Sequence, residues 1–69
     1  MGGGRVAWEF NIAMRGYSRR EVDELLARVV GKTATASDVR EARFAKQTRG
    51  YAPRDVDEAL AEILQDMDQ

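Results

Sequence analysis

The chain has 69 residues, with 11 Lys and Arg against 12 Asp and Glu, a formal net charge of −1, and neither cysteine nor histidine. That length admits one small domain, which buries only about 60% of its unfolded surface. The missing residue types exclude disulfides and thiolate chemistry and remove the commonest general base and metal ligand.

No run approaches the ~20 apolar residues that a membrane span requires. Met1-Gly2-Gly3-Gly4 does not read as a signal peptide, so a soluble, cytoplasmic protein is expected. The charge is uneven. Residues 1–34 carry six cations against four anions, and residues 35–69 carry five against eight. An imbalance that small reads as solvated side chains, and no nucleic-acid partner is expected.

In chain order, Gly2-Gly3-Gly4 is expected to carry no structure. From Arg5 to Ile12 apolar and polar residues alternate, with Val6, Trp8, Phe10 and Ile12 on one side. That period of two predicts an extended segment laid on helices. Arg15-Gly16-Tyr17 reads as a turn in which glycine supplies an unusual backbone conformation. Ser18 with Glu21 reads as a capping box opening a helix over Arg19–Val30, and Gly31 is placed as a left-handed C-terminal cap. Val22, Leu25, Leu26, Val29 and Val30 form its apolar stripe. Thr35 with Asp38 gives a weaker capping signal, because Asp is short for the reciprocal bond, ahead of a short helix over Ala36–Phe44. Arg49-Gly50-Tyr51 is a second turn. Pro53 opens a second long helix, Pro53–Asp66, after the poorer cap Ala52. Its stripe is Val56, Ala59, Leu60, Ile63, Leu64 and Met67.

These elements are two copies of one pattern. Phe10 through Ala27 reads Phe-x-x-x-x-Arg-Gly-Tyr-x-x-Arg-Glu-Val-Asp-Glu-x-Leu-Ala, and it recurs 34 residues later from Phe44 to Ala61 with Asp for the first Glu. Aligning 10–30 with 44–64 gives ten identities in 21 positions, too many for chance, and a repeat fixes architecture before any other signal. The fold class expected is therefore all-α. It has two amphipathic helices in tandem Arg-Gly-Tyr/helix repeats, a short connecting helix and an extended N-terminal segment. One domain spans 1–69, with repeat 1 at 10–30, the connector and short helix at 31–43, and repeat 2 at 44–66. The two stripes either pack on each other or face a second chain.

Candidate functional residues are few. Arg15 and Arg49 either contact phosphate or a partner carboxylate, or act locally, in a salt bridge to Asp23 or Asp57 or a hydrogen bond to carbonyls that closes the turn; the local reading is preferred. Tyr17 and Tyr51 read as core caps with a wet hydroxyl. Arg19 and Arg20 read as a solvated face. Trp8, whose counterpart is Ala42, is either an interface anchor or a core filler. With no histidine, no phosphate loop and no cleft to shift a carboxylate, no catalytic residue, metal site or cofactor is expected.

The repeat resembles the N-terminal domain of DivIVA, the bacterial cell-division and cell-pole scaffold. Thr35-Ala-Ser-Asp38-Val39, Phe44, Arg49-Gly50-Tyr51, Asp55-Val56-Asp57 and Leu60 follow the family pattern Thr-Pro-x-Asp-Ile … Phe-x-x-x-x-Arg-Gly-Tyr-x-x-x-Glu-Val-Asp-x-Phe-Leu. The first copy follows it from Phe10 through Leu26. The chain resembles actinobacterial proteins with short tandem DivIVA-like repeats more than a full-length scaffold. The resemblance implies helical self-association and recruitment of division or polar-growth proteins. It also implies contact with curved anionic membrane through a Phe-Arg pair in the turn. Arg15 and Arg49 keep the Arg, while Met14 and Thr48 replace the Phe. The family's Phe before the helix Leu becomes Leu25 and Ala59, and its long coiled coil does not follow.

The function expected is thus a small non-enzymatic DivIVA-like protein-interaction module, a cell-division or cell-pole adaptor with a protein partner and a homodimer as its associations. The alternative is a peripheral adaptor at the inner face of the membrane that binds anionic lipid through the Met14-Arg15 turn. A helix-turn-helix DNA binder ranks third, because the second half is acidic. The partner- or lipid-binding candidates are Met14, Arg15, Arg19, Arg20, Arg49 and Trp8.

Overall fold

A computed structural model describes residues 8–67, and the expectations for Gly2-Gly3-Gly4 and for Arg5 to Ala7 lie outside them. Five elements follow in order: β1 (Ile12–Tyr17), α1 (Arg19–Val30), α2 (Ala36–Arg40), β2 (Lys46–Tyr51) and α3 (Pro53–Met67). The two strands pair with each other, so the class is mixed α and β and the all-α expectation is corrected. The pairing runs antiparallel: Ile12 lies opposite Tyr51, Arg15 opposite Thr48 and Tyr17 opposite Lys46, the partner number falling as the strand number rises. It is also irregular, with Tyr17 lying against Tyr51 as well.

Both strands contain the Arg-Gly-Tyr tripeptides that read as turns. The reason lies in the two glycines, neither of which has a positive φ. What they supply is room. A Cβ on Gly16 would sit 2.3 Å from the Tyr51 carbonyl oxygen, and one on Gly50 would sit 2.4 Å from that of Tyr17. Close approach of two backbones is the second reason a chain needs glycine. Here it lets the segments hook past each other. Of the extended segment expected from Arg5 to Ile12, the described residues 8–11 have no regular structure, and the strand begins only at Ile12.

The helices match their stripes. α1 has the bounds expected, and α3 runs one residue further than expected. Val22, Leu25 and Leu26 of α1 are buried with Val56, Ala59 and Ile63 of α3, Val39 of α2 and Ala34. The stripes thus close on one core within the chain, with Trp8, Phe10, Tyr17, Phe44 and Tyr51 packed around it. Val22 and Val56, equivalent in the two repeats, are both fully buried, each worth on the order of 1.5–3 kcal/mol in area removed from water.

The caps depart from expectation in three places. Ser18 accepts from the Glu21 N–H at 3.3 Å, but Glu21 does not return the bond; its carboxylate takes the Ala45 N–H at 2.8 Å. The Ser18 N–H is already committed to the Ala45 carbonyl at 2.7 Å. Thr35 and Asp38 do complete a capping box, at 3.0 and 3.1 Å. Gly31 has φ −79°, and the left-handed position falls one residue later, at Lys32 with φ 62°. Lys32 N–H bonds the Val29 carbonyl and Thr33 N–H the Arg28 carbonyl, the paired bonds of a Schellman close with Lys32 where glycine usually stands. Helix α2 stops at Arg40 rather than Phe44, which leaves Phe44 free to reach Tyr17.

Candidate interaction surface

The two repeats hold each other by exchanged contacts. The Tyr51 hydroxyl donates to Asp23 Oδ1 at 2.8 Å, and Tyr17 donates to Asp57 Oδ1 at 3.3 Å. Phe10 packs on Tyr51 with ring centroids 4.9 Å apart, and Phe44 on Tyr17 at 5.3 Å. Asn11 N–H donates to Asp55 Oδ2 at 2.9 Å, matching Ala45 N–H to Glu21. The Ala52 N–H bonds the Asn11 carbonyl at 2.8 Å, matching Ser18 to Ala45. Each pair recurs at the 34-residue offset, so the chain is folded about a pseudo-two-fold axis.

This exchange changes the role of the arginines. Asp23 and Asp57, the acids expected to pair with Arg15 and Arg49, are taken by the tyrosines. Ion pairs among the described residues are limited to Arg20–Glu24 at 3.6 Å and Arg28–Asp38 at 2.9 Å. Arg15 and Arg49 are exposed on the ladder without a carboxylate partner, so the local salt-bridge reading is corrected. Burial first, then the nearby Asp57 charge and its hydrogen bond, raise the pKa of Tyr17 above 10.0. Tyr51 is raised by burial, then by its hydrogen bond to Asp23 and that charge, with Arg19 opposing. Both phenols therefore remain neutral donors.

The ladder sequences Ile-Ala-Met-Arg-Gly-Tyr and Lys-Gln-Thr-Arg-Gly-Tyr contain three cations and no anion. Met14 is 79% exposed, and Ile12 is 52% exposed. Met14, Arg15, Lys46, Gln47 and Thr48 line one shallow hollow. Lys46 was not among the sequence candidates. The signal available was its place at the offset of Ile12, and it became meaningful only with the strand pairing. Its Nζ lies 5.2 Å from the Tyr17 ring centroid, a cation–π distance. Arg49 has φ 60°, a conformation its counterpart Arg15 does not share.

Arg19 and Arg20 open α1, both exposed, with the Arg19 N–H on Gln47 Oε1 at 3.2 Å. The Arg20–Glu24 pair, with side chains 87% and 67% exposed, is a solvated contact worth little. Trp8 stands apart from this group. It is half-buried, packs on the core, and lines two clefts that run beside α3. Among the described residues no acidic cluster could hold a metal ion, and no helix is long and apolar enough to cross a membrane. In comparisons with known proteins, no family model, curated protein or solved structure significantly matches this chain.

Proposed function

We propose that the chain is a non-enzymatic, DivIVA-like adaptor of the cell-division or cell-pole kind that docks peripherally on anionic membrane through the exposed Met14-Arg15 stretch of its ladder. The observation that carries this reading is Met14, 79% exposed, beside Arg15, Lys46 and Arg49 on strands that hold no anion. Cations near an anionic leaflet contribute about 1 kcal/mol each, and an inserted apolar side chain adds to them. Three cations and one thioether give weak, reversible and salt-sensitive attachment. Met14 performs the insertion that the family assigns to Phe, and Thr48 leaves the second strand with charge alone.

The test is co-sedimentation with phosphatidylglycerol vesicles at low and moderate salt, using the wild type and a Met14→Ser, Arg15→Ala double variant. The wild type should pellet at low salt, lose most of that at moderate salt, and ignore vesicles of neutral phosphatidylcholine. The double variant should bind at least roughly tenfold more weakly, as expected for losing one charge and one inserted group. Failure of the wild type to pellet at low salt refutes the reading.

A further inference from the structure

An apolar cleft of about 680 Å³ opens between the C-terminal ends of α1 and α3, lined by Val29, Val30, Ile63, Met67, Ala34 and Trp8. Val30 is 53% exposed and Met67 36% exposed, so the apolar stripes are not fully covered here. The N-terminal ends of these helices adjoin the ladder, so the cleft lies away from it along the helices. Trp8 also lines a second hollow, with Glu9, Asp55, Glu58 and Glu62 in its wall, and Asp66 and Lys32 are among the residues that line the apolar cleft itself. Asp55, Glu58, Glu62 and Asp66 follow one helical edge at spacings of three and four, and no ion pair among the described residues engages them.

We infer that this cleft receives a basic amphipathic helix of a partner protein, with apolar side chains between Val30 and Met67 and Lys or Arg along the acidic edge of α3. The apolar floor supplies affinity, and the charge of the edge selects the partner and fixes its direction. A second copy of this chain is a poorer occupant, because it would bring the same acidic edge against the first. The inference is independent of membrane docking, since no ladder residue lines the cleft.

Trp8 is the only tryptophan, so its fluorescence reports the cleft without labelling. The probe is a synthetic 18-residue helix with Leu on one face and Lys on the other, compared with the same peptide carrying Glu for Lys. The Lys peptide should shift Trp8 emission to the blue saturably, and the Glu peptide should not. Val30→Glu and the double reversal Glu58→Lys, Glu62→Lys change exposed side chains and should leave the circular dichroism of the free protein unaltered. Each should weaken binding by roughly tenfold or more. Arg15→Ala should leave peptide binding unchanged while it weakens vesicle binding. Equal binding of the two peptides, or undiminished binding by Val30→Glu, overturns the inference. So does a Trp8 shift that follows protein concentration alone with a doubling of mass, which would assign the cleft to a second copy.

Discussion

The Tyr51 hydroxyl reaches across the pseudo-two-fold axis to Asp23 at 2.8 Å, and Tyr17 repeats the contact on Asp57 at 3.3 Å. In each case the tyrosine of one repeat finds the carboxylate of the other. Tyr51→Phe should destabilise the protein by about 1 kcal/mol, and Tyr17→Phe, with the longer bond, by about 0.5. Chemical denaturation of the single and double variants measures both. Because folding raises both phenol pKa values above 10.0, the unfolded chain loses these protons first. The stabilisation is thus whole below pH ~10 and declines above it, as linkage requires. A double Phe variant should lose that alkaline slope.

Gly16 and Gly50 meet where the strands cross, and the atoms a Cβ would strike are backbone. No rotamer change can relieve that collision. Gly16→Ala and Gly50→Ala should each cost about 2–3 kcal/mol, the upper part of the overpacking range. A domain of this size has on the order of 3.5–10 kcal/mol in all. The double variant should therefore be largely unfolded at room temperature by circular dichroism, with each single variant folded but lowered in melting temperature.

Among the described residues, two other than glycine occupy the left-handed region, Lys32 at φ 62° and Arg49 at φ 60°. That conformation costs most residues roughly 1–2 kcal/mol, partly offset in a glycine replacement by the greater freedom of the unfolded chain. Lys32→Gly should stabilise by about 0.5–1 kcal/mol, as expected at the close of a helix. Arg49→Gly should stabilise similarly while weakening attachment to anionic vesicles. Opposite movement of melting temperature and vesicle affinity at Arg49 would separate strain from function. A destabilised Arg49→Gly would show that the arginine side chain holds the strand crossing.

The helices were legible because their stripes are periodic and their ends carry Ser18, Thr35 and Pro53, signals read from a few neighbouring residues. The strands were not. Lys-Gln-Thr-Arg-Gly-Tyr lacks apolar alternation, and its pairing is made with a segment 34 residues away whose own alternation, from Val6 to Ile12, pointed upstream. The arginines were misread for the same reason. Asp23 and Asp57 lie eight residues beyond Arg15 and Arg49 in the two copies of the motif, but the crossing of the strands presents them to tyrosines of the opposite repeat. Met14, Arg15 and Arg49 were reached through the repeated motif and the resemblance, whereas Lys46 needed the ladder, and the acidic edge beside Trp8 needed the packing of α3.

Asp38 joins two elements: it accepts the Thr35 N–H that opens α2 and the Arg28 guanidinium at the end of α1. The Thr35 backbone N–H, more than the Arg28 charge, holds its pKa below 3.8. A lowered carboxyl pKa contributes stability that is present above the unfolded value and is lost as pH falls through the folded one. The melting temperature should thus decline as pH drops below about 3.8. Asp38→Asn should flatten that decline while lowering the melting temperature at neutral pH. An unchanged acid profile would mean that Asp38 does not couple α1 to α2.

The exchanged contacts also predict how half of the chain behaves. Residues 33–69 contain α2, β2 and α3 and hold one member of every reciprocal pair together with the equivalent of its partner. Phe44 can pack on the Tyr51 of another copy, Tyr51 can donate to its Asp57, and the Ala45 N–H to its Asp55. Glycine meets glycine at the crossing. This fragment should form a two-fold dimer in which Ala59 takes the place of Leu25 as well, leaving the core underfilled. Losing a buried Leu side chain costs about 2–5 kcal/mol, so the dimer should be weak, and Ala59→Leu should strengthen it. Sedimentation equilibrium over a range of concentrations measures both effects. Gly50→Ala, which places two obstructing methyl groups at one crossing, should abolish the dimer. A fragment that stays monomeric with and without Ala59→Leu would mean that the differences between the repeats, and not their likeness, hold the single chain together.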